Sequence, residues 1–406
     1  MATEVVELQG HIIDSLILAK VLDLILEAGA DYRLVEVDIG RTSSDTSAAR
    51  IEVTASDDAV LANLVEALQI HGANRVDVGE AELVAADIDG VLPGGFYSTT
   101  NLPTRVRVDR RWIEVANPEM DCALVVDRAG PGAAARTVPM HAVRRGDLVV
   151  VGHDGVKVDS PDRPRGPAAF EFMNSEVSSE KPKALVIQEV ADKLRTARTT
   201  STRVLAVCGP AVIHTGAGPA VARLVAGGWI DVLFAGNGFA THDIESNVLG
   251  TSLGVSLGEG KATEGGHANH LRVINEVRRH GSIAAAVEAG FIGGGVMYEC
   301  VRAGVPFVLG GSVRDDGPLP DVISDTVAAV DAMRALVPGV SVALMLASTL
   351  HAIATGNILP SSVETYCVDI NQAVVTKLAD RGSHQALGIV TDVGLFLGQL
   401  AEALCP

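Results

Sequence analysis

Aromatic residues are scarce in this sequence. Phe, Trp and Tyr make up 3% of the 406 residues, whereas 48% of the residues are hydrophobic, so we expect a core of aliphatic side chains. Basic residues are outnumbered as well, because 32 Lys and Arg against 50 Asp and Glu leave a formal net charge of −18. A surface this acidic repels phosphate backbones, and no cluster of Lys and Arg with interleaved aromatic residues is present. The composition therefore argues against a nucleic-acid partner.

Cysteines are few, and they are scattered along the chain. Their number is odd and no CxxC pair occurs, which argues against a disulfide framework or a zinc ribbon and favours a reducing cytoplasm. The five are Cys122, Cys208, Cys300, Cys367 and Cys405. We expect Cys300 to be a core thiol on a helix. The first residues have neither a basic segment nor a continuous apolar segment, so no signal peptide is predicted.

No apolar run reaches the length of a membrane span. Residues 335–363 lack charged side chains, but they include Pro338, Gly339 and several Ser and Thr residues. Their densest apolar part, VALMLASTLHAIA, is shorter than the ~20 residues that a transmembrane helix needs. We therefore expect a buried helix of a soluble protein here, and no membrane partner.

The first half of the chain predicts two small modules. Over residues 1–80, strand patterns and two helical patterns follow one another in the order βαββαβ, which predicts a ferredoxin-like α+β domain. Such domains often bind amino acids or make subunit contacts. Over residues 81–165, short β-like runs alternate with Gly and Pro turns and predict a small β subdomain and a linker.

The second half predicts an α/β domain with a Rossmann-like parallel sheet. Over residues 166–406, continuous apolar strands alternate with helical patterns, as in a parallel sheet that is covered on both faces. The segment 322–337, VISDTVAAVDAMRALV, is predicted to be one of these helices, and VSVALMLAS is predicted to be a strand or a buried helix. In such sheets, ligands bind outside the carboxyl ends of the strands.

Polar residues and glycines follow six successive strands. The stretches after the strands are CGPAVIHTGAG, GNG, GGSVRDDGPLPD, TGNILP, DIN and DV. A plain turn explains any one of them, for example Gly236-Asn237-Gly238 with His242, Asp243 and Glu245 just behind it. Six such stretches at one edge of the sheet predict a dinucleotide or nucleotide site. Glycine lets backbone approach a ligand, Asn and Asp bind ribose and amide groups, and helix N-termini bind pyrophosphate.

The usual dinucleotide fingerprint GxGxxG is only half present. GAGPAV has the first two glycines but Val221 in the third position, and Asp231 stands at the beginning of the next strand rather than at its end. A dinucleotide is therefore expected to bind in a non-standard Rossmann variant.

Two clusters of ionisable residues are further candidates. His267 and His270 have a spacing that metal ligands can have, but no carboxylate or Cys cluster accompanies them, so no metal is predicted. A contact with substrate or phosphate, and a surface loop, both fit them. Arg314, Asp315 and Asp316 follow a buried strand. They suit cofactor binding and acid–base catalysis, with a solvated turn as the alternative.

These motifs together make the chain resemble a known family. The stretches concerned are EFMNSEVSSEKP, GPAVIHTGA, AGNGFATHDIE, GTSLGVSL, GSVRDDGPLPD, TGNILP, CVDINQAVVTKLADRGS and VTDVGLFL. The family is the archaeal-type ornithine cyclodeaminase family, whose members are also labelled bifunctional lysine-oxoglutarate reductase/saccharopine dehydrogenase proteins. The resemblance covers nearly the whole chain, from GHIID to FLGQL.

The resemblance implies an NAD-dependent enzyme that converts L-ornithine to L-proline and ammonia, with the hydride returned internally. By the same resemblance NAD would be held by Asn237, Gly238, Asp315, Asp316, Thr355, Gly356, Asn357, Ile358, Leu359, Pro360, Asp369, Asp392 and Val393. We expect Asp315 to act as acid or base, with His267 as the next candidate, and Arg314 or His267 to bind the substrate carboxylate. We also expect a cytoplasmic homo-oligomer, a dimer or a tetramer.

Other functions fit the same sequence. An NAD-dependent amino-acid or saccharopine-type dehydrogenase would produce NADH. A transferase related to deoxyhypusine synthase, which HDIESNVLGTSLG resembles, would need a nucleophilic lysine such as Lys261 or Lys377. A non-enzymatic NAD-binding amino-acid sensor would rest on the ferredoxin-like domain. Lysine or another diamine in place of ornithine also stays open.

Overall fold

The structure is a computed structural model in which the chain forms two compact units. It describes residues 1–13, 16–41, 45–76, 79–128, 132–159, 183–252, 255–256, 268–315, 317–374, 377 and 386–405. The N-terminal unit comprises Met1–Phe170 and Asn357–Ser361. The Rossmann unit comprises Glu171–Gly356 and Ser362–Pro406.

The N-terminal unit begins with a ferredoxin-like module. Its elements are β1 (Ala2–Gly10), α1 (Ile17–Glu27), β2 (Asp31–Asp38), β3 (Ser47–Ala55), α2 (Asp58–Gln69) and β4 (Asn74–Arg75). The strands pair antiparallel in the order β2-β3-β1-β4. Alternate residues of β1 and β3, such as Val6 and Ile51, are buried with Val21 and Ile25 of α1. The period-two pattern of these strands thus places one face of the sheet against the helices.

The rest of the N-terminal unit is a seven-stranded β-module. Its strands are β5 (Glu82–Ala85), β6 (Thr104–Val108), β7 (Arg111–Ala116), β8 (Ala123–Asp127), β9 (Ala134–Val138), β10 (Leu148–Val151) and β11 (Val156–Val158). They lie in the order β11-β6-β7-β9-β8-β10-β5. The fold class expected for this half of the chain is confirmed, whereas the domain limits at residues 80 and 165 stay a prediction.

The Rossmann unit contains the elements from residue 183 onward. They are α3 (Lys183–Thr199), β12 (Arg203–Cys208), α4 (Ala211–His214), α5 (Gly218–Ala226), β13 (Val232–Gly236), α6 (Asn237–Leu249), β14 (Thr251–Ser252), β15 (Val255–Ser256), α7 (Asn269–His280), α8 (Ile283–Glu288), α9 (Val296–Ala303), β16 (Phe307–Gly310), β17 (Val322–Ile323), α10 (Thr326–Ala335), β18 (Val340–Leu346), α11 (Leu350–Ile358), β19 (Glu364–Asp369), β20 (Ala386–Val390) and α12 (Val393–Leu404).

All six strands that the sequence predicts for this unit lie in one parallel sheet. Its order is β17-β16-β13-β12-β18-β19-β20, and every neighbouring pair is parallel. The order reverses between β12 and β18, which is the topological switch point where ligands of open α/β sheets bind. Gly209, just after β12, is essential there, because a Cβ atom on it would lie 1.8 Å from the carbonyl oxygen of Ala347.

One secondary-structure prediction in this unit is wrong, and one that the sequence left open is decided by the structure. The apolar stretch around residues 340–352, expected to be a strand or a buried helix, is strand β18 followed by helix α11. Its β-branched residues pair with β12 and β19, so tertiary pairing decides its conformation. The segment expected to be one helix from residue 322 begins with the edge strand β17. Its helix starts only at Thr326, because the Asp325 carboxylate accepts hydrogen bonds from the N–H groups of Val327 and Ala328.

Within the described ranges, none of the helices has both the length and the apolar character needed to span a bilayer.

Candidate functional site

The Gly-Asn-Gly stretch is a direct passage from strand to helix. Gly236 ends β13 and Asn237 is the first residue of α6. The buried Asn237 side chain accepts hydrogen bonds through Oδ1 from the Leu319 N–H (3.0 Å) and the Thr241 hydroxyl (3.3 Å). Asn237 therefore ties the segment after β16 to the start of α6. Gly238 faces the loop after β12, since a Cβ atom there would lie 3.4 Å from Pro210 Cγ.

A histidine that sequence reasoning missed lies at the same edge of the sheet. His351 stands in the first turn of α11, after β18. A Cβ atom on Gly236 would lie 2.9 Å from its Cε1, and one on Gly310 would lie 3.1 Å from its Nε2. The ends of β13 and β16 thus carry glycines where the imidazole lies. The sequence signal was a histidine in the helix that follows an apolar strand, together with two strands that end in glycine.

The surroundings of His351 determine its protonation. Burial lowers the pKa of the imidazole, because the interior disfavours its charged form, and the negative charge of Asp315 opposes this shift. The Asp315 carboxylate is itself held by the Ser312 N–H, which donates to Oδ2 at 2.8 Å. The pKa of His351 thus lies below the ordinary value of 6.5, so the imidazole is neutral at pH 7 and able to accept a proton.

Two buried threonine hydroxyls have no hydrogen-bond partner among the described residues. They belong to Thr355, in α11, and to Thr391, which separates β20 from α12. Thr355 lies in the helix that follows β18, and Thr391 directly follows β20. A buried hydroxyl without a partner costs free energy, and native structures seldom tolerate one without a reason. The two hydroxyls are therefore suited to hydrogen-bond a polar ligand such as a dinucleotide.

Three carboxylates of the predicted cofactor set are oriented by local backbone. The N–H of Asn371 donates to Asp369 at 2.7 Å, and the N–H of Leu395 donates to Asp392 at 2.8 Å. Asp392 is the N-cap of α12, and Val393 is the buried first residue of that helix. Together with Asp315 they stand at the ends of β19, β20 and β16. Local hydrogen bonds of this kind fix the direction of each side chain at the edge.

The TGNILP stretch divides between the two units. Thr355 and Gly356 belong to the Rossmann unit, and residues 357–360 belong to the N-terminal unit. There, the Met120 N–H donates to the Asn357 carbonyl (3.0 Å), and the Asn101 side chain donates to the Leu359 carbonyl (3.4 Å). Ile358 and Leu359 are buried. These hydrogen bonds hold the stretch within the N-terminal unit.

The remaining predicted residues have different outcomes. His267 and Asp316 lie outside the described residues. Arg314 is exposed, and its N–H donates to the Ser312 hydroxyl at 3.2 Å. Cys300 is confirmed as a core thiol: it lies on α9, it is fully buried, and burial raises its pKa to about 12.

The charged residues behind Gly-Asn-Gly form a buried network along α6. His242 and Glu245 pair at 2.9 Å, and the Thr251 hydroxyl donates to Glu245 at 2.8 Å. The Asp243 carboxylate accepts the N–H groups of Val296 and Met297 at the start of α9. Burial raises the pKa of Asp243 to about 6, against the effect of these two hydrogen bonds. Glu245 and Asp243 thus join α6 to β14 and to α9.

Comparison with known proteins identifies the family. The ornithine cyclodeaminase of Methanothermobacter thermautotrophicus is 52% identical to this chain over 398 residues, which are 98% of this chain and 96% of the relative. The chain belongs to the ornithine cyclodeaminase family. Residues 3–102 match the LOR/SDH bifunctional enzyme conserved region. Residues 103–187 match the first region of the C-terminal part of ArgZ-like arginine dihydrolase, and residues 188–400 match its Rossmann fold.

Solved structures of ornithine cyclodeaminase relatives have the same fold. The apo structure of ArgZ, an arginine dihydrolase from the ornithine-ammonia cycle in cyanobacteria, is 38% identical with a TM-score of 0.85. The match covers 99% of this chain and 58% of the ArgZ chain. AgrE, known from Nostoc sp., is 41% identical in its ternary complex with ornithine and NAD⁺, with a TM-score of 0.54. That match covers 99% of this chain and 57% of AgrE. The C-terminal Rossmann-like fold expected from the sequence is confirmed.

Proposed function

We propose that this protein is an NAD-dependent ornithine cyclodeaminase that converts L-ornithine to L-proline and ammonia. The observation that carries the proposal is a pair of buried hydroxyls, those of Thr355 and Thr391, which have no partner among the described residues and which follow strands β18 and β20 along the chain. In a member of this family, NAD is the ligand that such a site supports best.

The proposed NAD site uses the side chains and backbone that follow the strands of the parallel sheet. Its residues in the Rossmann unit are Asn237, Gly238, Asp315, Asp316, Thr355, Gly356, Asp369, Asp392 and Val393, and the expected contacts of residues 357–360 stay a prediction. Thr391 joins this set because of its buried hydroxyl. The local hydrogen bonds of Asp369 and Asp392 support the proposal, since they orient both carboxylates before any ligand binds.

The chain's own residues supply binding and proton transfer. When bound, NAD supplies a reversible hydride acceptor, so the conversion needs no net oxidant. Asp315 is proposed to exchange a proton with the substrate, because its carboxylate is held at a strand end by the Ser312 N–H. Arg314, exposed beside it, is proposed to bind the substrate carboxylate.

An isotope experiment tests this function. Ornithine that carries deuterium at Cα should give proline with the deuterium still at Cα, in ordinary water and with excess unlabelled NADH. The label is retained because the hydride removed from Cα returns to the same carbon within one turnover. Mass spectrometry of the proline measures the retention.

The rival functions give different products. A dehydrogenase would release labelled NADH with a keto acid or cyclic imine, and an NAD-binding sensor would leave ornithine unchanged. Proline without label would contradict the internal return of hydride even if ornithine is the substrate. A role in proline biosynthesis, a cytoplasmic location and a homo-oligomeric state stay predictions.

A further inference from the structure

Among the residues that the structure describes, His351 is the ionisable side chain nearest to the glycines at the ends of β13 and β16. A Cβ atom on Gly236 would lie 2.9 Å from Cε1 and 3.4 Å from Nε2 of the imidazole, and one on Gly310 would lie 3.1 Å from Nε2. Real Cβ contacts under 3.0 Å are essentially absent, so a side chain at Gly236 would displace the ring. The two strand ends are thus shaped to accommodate this histidine.

A second observation, the buried Thr355 hydroxyl, points to a ligand on the helix face that carries His351. Thr355 follows it by four residues on α11, and residues with that spacing lie on the same face of a helix. Thr355 is fully buried, and its hydroxyl has no partner within the described residues. The helix face that carries His351 therefore also carries a polar group that is available to a ligand.

We propose that His351, acting beside Asp315, accepts a proton from the substrate α-ammonium group and returns it to the departing nitrogen. This inference rests on the proposed ornithine cyclodeaminase activity and adds a catalytic residue to it. Three features support this role. His351 lies at the carboxyl edge of the sheet, two strands end in glycine next to its ring, and a buried hydroxyl without a partner among the described residues lies one turn along the same helix.

The proton balance of this step closes on His351. The neutral imidazole takes one proton from the α-ammonium group, so the nitrogen gains the lone pair that must be present before the Cα–H bond can break. The δ-ammonium group loses one proton before its nitrogen attacks C2, and the ring nitrogen loses another after ring closure. When the bond between Cα and the α-nitrogen then breaks, the imidazolium gives its proton back and ammonia leaves. Ammonia and the proline nitrogen take up the two protons released during ring closure. His351 is neutral before and after the turnover, and no further oxidant or reductant is needed.

The carboxylate of Asp315 and the burial of the ring together suit His351 to accepting and returning a proton. Gly236 and Gly310, on the neighbouring strand ends, carry no charge, and Asp315 supplies a negative one. Burial favours the neutral imidazole that accepts the proton, and the Asp315 carboxylate stabilises the imidazolium that forms. General bases that operate near neutral pH are tuned by such opposed effects.

The first test is His351→Gln, with His280→Gln on α7 as the matched control. We expect His351→Gln to keep its bound NAD and its unfolding midpoint, and to lower kcat about 10²- to 10⁴-fold. The acidic limb of the kcat profile should disappear in this variant, because that limb reports protonation of the base. His280→Gln should behave as wild type in all four measurements.

A second readout does not depend on activity. In ¹³C-histidine NMR of the wild-type holoenzyme, the signal missing from His351→Gln should titrate below 6.5, the ordinary histidine pKa. Asp315→Asn should lower that pKa further, because it removes the negative charge that raises it. A signal that titrates at the ordinary value and ignores Asp315→Asn would overturn the assignment.

The outcomes separate this inference from the function on which it rests. A wild-type enzyme that forms no proline from ornithine would overturn the proposed function. If wild type forms proline and His351→Gln matches its rate and pH profile, only the role of His351 is overturned. Should the Gln variant lose NAD or unfold early, His351→Ala with added imidazole decides: restored turnover supports proton transfer, and no restoration contradicts it.

Discussion

At the scale of single residues, the hydroxyl of Thr355 points most directly to a ligand, because a buried hydroxyl without a partner costs free energy. It is fully buried and has no partner within the described residues. We expect Thr355→Val, which is nearly isosteric, to leave the free energy of unfolding of the NAD-free protein unchanged or slightly higher. NAD affinity should fall roughly five-fold, the equivalent of one neutral hydrogen bond of about 1 kcal/mol. Chemical denaturation and calorimetric titration of NAD measure the two effects.

Thr365→Val is the matched control for this prediction. Thr365 is also buried, but its hydroxyl donates to the Val363 carbonyl at 3.1 Å. This variant should lose about 1 kcal/mol of stability and keep its NAD affinity. If Thr355→Val destabilises the NAD-free protein as much as Thr365→Val does, the Thr355 hydroxyl has a structural partner and the ligand argument fails.

At the scale of elements, Asp243 joins α6 to α9. Its two carboxylate oxygens accept the N–H groups of Val296 and Met297 at 3.0 and 2.8 Å. The helix start needs Gly295, with φ at 100°, because a Cβ atom there would lie 2.8 Å from the nearer carboxylate oxygen. An amide can accept only one of the two N–H groups and would turn its own NH₂ toward the other. The carboxylate therefore determines how these two helices meet.

We expect Asp243→Asn to lower the free energy of unfolding by about 1–3 kcal/mol at pH 7. Burial raises the folded-state pKa of Asp243 to about 6, against 3.8 for the ordinary group, so the folded protein binds this proton more tightly than the unfolded chain. The resulting stability is present at low pH and is lost as pH rises through about 6. The gap between wild type and variant should therefore widen by about 1 kcal/mol from pH 7 to pH 5.

Denaturant unfolding of both proteins at the two pH values measures this gap, with the exposed Asp23→Asn as the control variant. Effects of other titrating groups cancel in the difference between wild type and variant. A gap that does not change with pH would mean that the two N–H groups keep the carboxylate ionised in spite of its burial.

At the scale of the whole molecule, NAD binding should appear as added stability. A ligand that binds only the folded state stabilises it by about 2.7 kcal/mol at a hundred-fold excess over its Kd. We expect the unfolding midpoint of wild type to rise with NAD concentration. The double variant Asn237→Ala, Asp392→Ala should lose most of this rise. The change caused by NAD is the readout, because Asp392 also caps α12 and its loss alone should cost about 1 kcal/mol. Full NAD-dependent stabilisation of the double variant would contradict the proposed cofactor site.

Much of the architecture could be predicted from local patterns. Continuous apolar runs such as Val232–Gly236 predicted buried parallel strands, because a strand covered on both faces has no polar side. Alternation in the first 80 residues predicted a half-buried sheet. The sequence left Val340–Leu346 open between a strand and a helix, since an apolar run of that length suits a buried helix as well as a buried strand until its neighbours are known.

By itself the sequence determined which segments form strands and helices in most of the chain, and that polar residues follow the strands. Both depend on periodicity and on residues near one another in the chain. Only the tertiary structure decided that His351 lies against Gly236 and Gly310, that Asn237 holds the backbone of Leu319, and that the Thr355 hydroxyl is buried without a partner. These facts depend on the order of strands in the sheet, and that order is set by packing between segments tens to more than a hundred residues apart, which local periodicity does not encode.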